Sequence, residues 1–126
     1  MRRVNEPATH WRQTLRAGLL DARKERDTTR VSVLRSALSA IDNAETPDAV
    51  DVPLPTGGAI AASASGLGAA EAPRRILTHA EIRTLLGAEV DERLVAADQM
   101  AAGGHRERAT AVRAEAAALV ELLGDV

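Results

Sequence analysis

The side chains best suited to chemistry in this chain are arginines. At about 100° per residue on a helical wheel, Arg12, Arg16 and Arg23 fall within one narrow arc. That arc lies beside the apolar stripe of the same segment, not opposite it. Lys24, Arg26 and Arg30 cluster where this segment turns into the next, and Arg35 follows on the second. Guanidinium groups at such spacing suit successive phosphates, because each presents a planar fork of donors. The alternative is structural: the stems cover the core edge while the heads pair with Asp21, Glu25 and Asp27. Ser32, Ser36, Ser39 and Asn43 form an uncharged polar row, which either admits a partner helix or faces solvent. Glu89 and Arg93 stand i, i+4 in the favourable order for a helical ion pair. Catalytic use of that pair would need a second acidic group converging on it. His10, His79 and His105 lack the i, i+3 or i, i+4 spacing of a helical metal pair. The sequence has no GxSxG elbow, Walker loop or GxGxxG. Hence no catalytic residue, cofactor or metal is expected.

Four helices must position these groups. The first is expected over 8–26, with Trp11, Leu15, Gly18, Leu19 and Ala22 inward. The second is expected over 28–45, with Val31, Leu34, Leu38 and Ile41 inward and Asp27 or Thr28 as its N-cap. The short joint makes the two an antiparallel hairpin. Over 46–75 the periodicity stops. Four of the five prolines lie there, with no large side chain at helical spacing. Such a stretch buries too little to offset its ordering entropy, so a flexible low-complexity insert is expected, with a helical turn near 69–72. Thr78 and Glu81 then form a capping box, stapled by Leu77 and Ile82. The third helix runs to about Ala102 on a stripe of Ile82, Leu86, Val90, Leu94, Ala97 and Ala101, and Gly103-Gly104 ends it. Leu85 and Val95 lie off that stripe. The fourth runs over 106–123 on Ala109, Val112, Ala116, Leu119 and Leu123. The expected fold is all-α: one domain over 1–126, two helical hairpins in a small four-helix arrangement with the insert between helices two and three.

Composition narrows the function. With 126 residues, 16 basic and 18 acidic groups, the formal net charge is −2, which gives no general polyanion-binding surplus. The surplus is local: residues 1–45 hold nine basic and six acidic groups. There is no Cys, which excludes disulfides and thiolate metal sites. One Trp and no Phe or Tyr leave almost nothing for base stacking. No signal peptide or membrane-spanning run is seen, so a cytoplasmic protein with no membrane partner is expected.

The segment LRAGLLDARKERDTTRVSVLRSALSAIDNAE, residues 15–45, resembles the YqeY-like family, which is related to the C-terminal region of the GatB subunit of tRNA-dependent amidotransferases. Lys24, Arg26, Asp27, Arg30, Leu34, Arg35, Ile41, Asn43 and Glu45 carry the resemblance. In TLLGAEVDERLVAADQMAAGG, Glu89, Val90 and Arg93 stand in matching places, and Glu115 resembles a glutamate of the fourth helix. Asp27, Asn43, Glu45, Glu89 and Arg93 are thereby family-like structural positions. The insert is longer than the loop expected of the family, and no counterpart of the C-terminal helical tail linked with tRNA in GatB relatives is expected within residues 1–126. The resemblance implies a catalytically silent helical module. Any carbon–nitrogen ligase label would come by similarity alone.

Two functional expectations follow. One is an accessory module associated with tRNA or a tRNA-handling protein, with Arg12, Arg16, Arg23, Lys24, Arg26, Arg30 and Arg35 as its binding residues. The other is a protein-interaction or self-associating homo-oligomeric module with no RNA role.

Overall fold

The computed structural model describes residues 6–47 and 73–125. Four helices follow in order: α1 Pro7–Lys24, α2 Thr28–Glu45, α3 His79–Ala102 and α4 Arg106–Asp125. Among the described residues there is no strand, so the all-α expectation holds.

Local chemistry explains the boundaries. Pro7 opens α1, where its missing N–H costs nothing, and Arg23 and Lys24 in the last turn face the negative end of the helix dipole. The helix ends two residues before the expected Arg26. There the chain forms a Schellman turn: the Asp27 amide donates to the Ala22 carbonyl at 2.9 Å and the Arg26 amide to Arg23 at 3.1 Å. Arg26 occupies the left-handed position of that turn, at φ 59°. Asp27 then caps α2 by accepting from the Arg30 amide at 3.1 Å. The α3–α4 joint repeats the same turn, with Gly104 at φ 90° and the His105 amide donating to the Met100 carbonyl at 2.8 Å. Thr78 and Glu81 form the expected capping box on α3.

The two turns differ in one respect. Glycine sits without a Cβ penalty where hairpin α3–α4 needs φ > 0, whereas hairpin α1–α2 holds an arginine there. Arg26→Gly is expected to raise stability by about 0.5–1 kcal/mol, seen as a higher urea midpoint. A lowered midpoint would show that the Arg26 side chain contributes more than its backbone costs.

One core draws on all four helices. Trp11, Leu15, Ile41, Ile82, Leu86 and Leu119 are fully buried within it. The staple pair Leu77 and Ile82 is buried in the same cluster. Helix α2 is central and packs on the other three, while α1 meets α3 only slightly and α4 not at all. This placement shifts the buried arc of α2. Val33 and Ala37, not expected inward, are buried, and Val31 and Leu38 lie at the partly buried margin. A second correction falls on α3, where Leu94 is exposed and Leu85 packs against the core. Leu94 and Val95 are 43% and 56% exposed, so part of α3 stays open.

The 46–75 insert falls mostly outside the described residues, as does the helical turn expected at 69–72. Its two ends are described, and they meet. The Arg75 amide donates to the Glu45 carbonyl at 2.9 Å, and Arg74 pairs with the Glu45 carboxylate at 3.5 Å. Replacing residues 48–72 by a short Gly-Ser linker is therefore expected to shift the melting temperature by no more than a few degrees, since loop-closure cost varies only slowly with length. A large fall in a thermal melt would show that the segment packs on the bundle.

Candidate nucleic-acid interface

The seven basic residues singled out from the sequence divide into three groups. Arg12 is committed elsewhere. Its guanidinium donates to Asp42 Oδ1 at 2.7 Å and to the carboxylate of Glu45, and its side chain is only 15% exposed. The hydrogen bond from Arg12 to Glu45, against the cost of burial and with help from Asp42, raises the arginine pKa above its ordinary value. The stabilisation this represents is lost as pH rises through the arginine range, where the guanidinium would give up its proton. Arg12 is thus a clasp between α1 and α2, which corrects its assignment to the phosphate-binding row. Glu45, the one buried charged residue among those described, is the other half of that clasp.

Arg30 lines the base of the tip and lies 3.5 Å from Glu25, with both side chains substantially exposed. Such a surface pair contributes little to stability.

The third group comprises Arg16, Arg23, Lys24, Arg26 and Arg35. All five are exposed. None of their side chains has a hydrogen-bond or ion-pair partner among the described residues. The Arg12 clasp shows which edge of α1 faces α2. Arg16 is one helical turn on from Arg12, and Arg23 seven residues further, so both follow that edge, about 10 Å apart. Arg35 lies seven residues before Asp42 and so follows the matching edge of α2. Lys24 and Arg26 close the array at the turn. The acidic groups expected to neutralise it are occupied or averted. Asp27 caps α2, Asp42 binds Arg12, Glu25 lies near Arg30, and Asp21 is roughly 140–160° around α1 from Arg16 and Arg23.

On α2, Ser32, Ser39 and Asn43 are exposed beside Arg35, and a shallow depression is lined by Thr28, Val31, Ser32, Arg35, Ser36 and Ser39. Ser36 departs from that row: its hydroxyl accepts from Arg93 Nη2 at 3.0 Å. Arg93 also donates to Glu89 at 2.9 Å and to Glu115 at 3.2 Å. The expected Glu89–Arg93 pair is present, and Glu115 supplies the converging second carboxylate. Both carboxylates bind one guanidinium, which ties α2, α3 and α4 together as a neutralising knot.

The structure also joins residues that spacing kept apart. His10 and His79 approach edge to face, with ring centroids 6.1 Å apart. His79 Nδ1 accepts from the Trp11 indole at 3.0 Å, and Arg83 lies 5.4 Å over the Trp11 ring. Among the described residues no three His, Cys, Asp or Glu side chains converge as a metal-binding group, and no helix is long and apolar enough to cross a membrane. A cleft between α2 and α4, lined by Arg30, Val33, Leu34, Ala118, Glu121 and Leu122, holds about 50 Å³. That is far below the roughly 300–1,000 Å³ of small-molecule sites.

The architecture and the cationic edge together describe an all-α domain with a basic helical hairpin. The chain matches no family model, no curated protein and no solved structure.

Proposed function

We propose that this chain is a non-catalytic helical module that binds structured RNA, tRNA in the first instance, through phosphates along the α1–α2 hairpin. The observation that carries the reading is the set of five exposed cations whose side chains have no partner among the described residues, Arg16, Arg23, Lys24, Arg26 and Arg35, in a chain of net charge −2. The resemblance of residues 15–45 to the YqeY-like family supports it and suggests a cytoplasmic accessory of tRNA-dependent amidotransferase-type systems. Binding of labelled bulk tRNA, with duplex DNA as comparator, tests it. If about four cations meet phosphates, affinity should fall on the order of 100-fold between about 50 and 200 mM salt. Absence of binding at low salt would sink the reading.

A second reading rests on a separate observation. Leu94, Val95 and Val120 are all at least 43% exposed on the α3–α4 hairpin, which suits a partner protein or a second copy. Sedimentation showing a monomer over a wide concentration range would remove its self-associating form.

A further inference from the structure

We infer that the hairpin recognises double-helical RNA stems, through the phosphates beside the outer face of α2, and not single strands. This rests on the RNA-binding reading above and specifies its ligand.

Three observations carry it. First, single strands are held chiefly by stacking their bases on aromatic rings. Here the sole Trp is completely buried, and the chain has no Phe or Tyr. His10 and His79 lie at the opposite end of α1 from the Lys24–Arg26 turn. Second, the cations sit on a rigid frame. The Arg12–Glu45 clasp, the Asp27 cap and the shared core fix α1 against α2. A fixed array gains most from phosphates that are themselves fixed, because neither side then loses conformational freedom on binding. Third, the surface between the cations admits close approach. Thr28, Ser32, Arg35, Ser39 and Asn43 are exposed along one face of α2, a line about 22 Å long, and Asp42, the acidic group on that face, is paired with Arg12 at 2.7 Å. A-form RNA offers a wide, shallow minor groove edged by phosphates and 2′-hydroxyls, and helices that bind it do so by shape and backbone contacts. Short hydroxyl and amide side chains beside Arg35 match that surface, with Arg16 and Arg23 along one side and Lys24 and Arg26 at the end. The charge array carries the assignment; the uncharged row explains how a duplex would reach it.

The experiment compares three labelled probes on the full chain at low salt: an RNA hairpin stem, an unstructured RNA of equal length, and a DNA duplex of the stem's sequence. The stem is expected to bind at least tenfold more tightly than either. A single strand bound within twofold of the stem overturns this inference and leaves the RNA-binding reading standing. A DNA duplex bound as tightly as the stem overturns the assignment to RNA. Failure of all three to bind removes the RNA-binding reading itself. A second variant addresses the face. Ser32→Leu with Ser39→Leu adds bulk without charge at exposed helical positions, and circular dichroism checks the fold. Stem affinity should fall about tenfold with an unchanged salt slope, since no cation is lost. Unchanged stem affinity in the folded variant overturns the placement of the duplex on α2.

Discussion

Trp11→Ala is expected to cost about 3–5 kcal/mol, a large share of the roughly 5–15 kcal/mol that holds a small domain together. The size follows from its position. Trp11 is completely buried and is the only large ring in a core otherwise built from Leu, Ile, Val and Ala. It also carries much of the slender interface between α1 and α3. Its indole donates to His79 Nδ1 at 3.0 Å, and the Arg83 guanidinium lies over its face. Truncation leaves a cavity that Ala8 and Leu15 cannot fill, and it removes the hydrogen bond and the cation–π contact together. Trp11→Phe separates these contributions. It keeps an aromatic ring and loses the N–H and some volume, so about 1–2 kcal/mol is expected. Urea titrations followed by far-ultraviolet circular dichroism measure both, because the variants lack the chain's indole fluorophore. A cost below about 1 kcal/mol for Trp11→Ala would mean that α1 does not dock on α3 through this ring.

Features written within a few residues were legible before the structure. The Thr78–Glu81 box, the Asp27 cap and the Gly103–Gly104 stop are each set by neighbours along the chain, so side-chain chemistry alone places them. The helix faces were legible in direction only. Periodicity puts Leu94 on the stripe of α3 and Leu85 off it, but which of them is covered depends on how the other helices pack on α3. The site was harder to read for a related reason. Arg12 shares its arc with Arg16 and Arg23, and nothing nearby in sequence distinguishes it. Its partners Asp42 and Glu45 lie 30 and 33 residues away. The same holds for Glu115, 22 residues from Arg93, and for His79, 68 from Trp11. Opposite charges that far apart signal nothing until a fold sets their distance. A hint did exist: Glu45 is an acidic group in the last turn of α2, where the helix dipole disfavours it, and such a residue needs a compensating cation.

That distinction between Arg12 and its neighbours sets the second large expected effect. Arg16→Glu combined with Arg23→Glu should weaken tRNA binding on the order of 100-fold at about 50 mM salt and make the salt slope shallower by about 2. Each change removes a phosphate contact and places a repelling carboxylate on the same edge. Both side chains are exposed and without partners among the described residues, so the fold should tolerate the changes and thermal stability should change little. Arg12→Gln is the matched contrast. It removes a cation from the same arc, yet that guanidinium already serves Glu45 and Asp42, so RNA affinity should stay within about twofold. Stability should fall instead, because among the described residues buried Glu45 would keep only the more distant Arg74 as its cationic partner. The two variants therefore separate a binding edge from a structural clasp on one helix. If Arg12→Gln lost affinity as steeply as the double reversal, loss of cationic charge anywhere on the hairpin would explain the binding. An undiminished affinity in Arg16→Glu/Arg23→Glu would move the interface off α1 altogether.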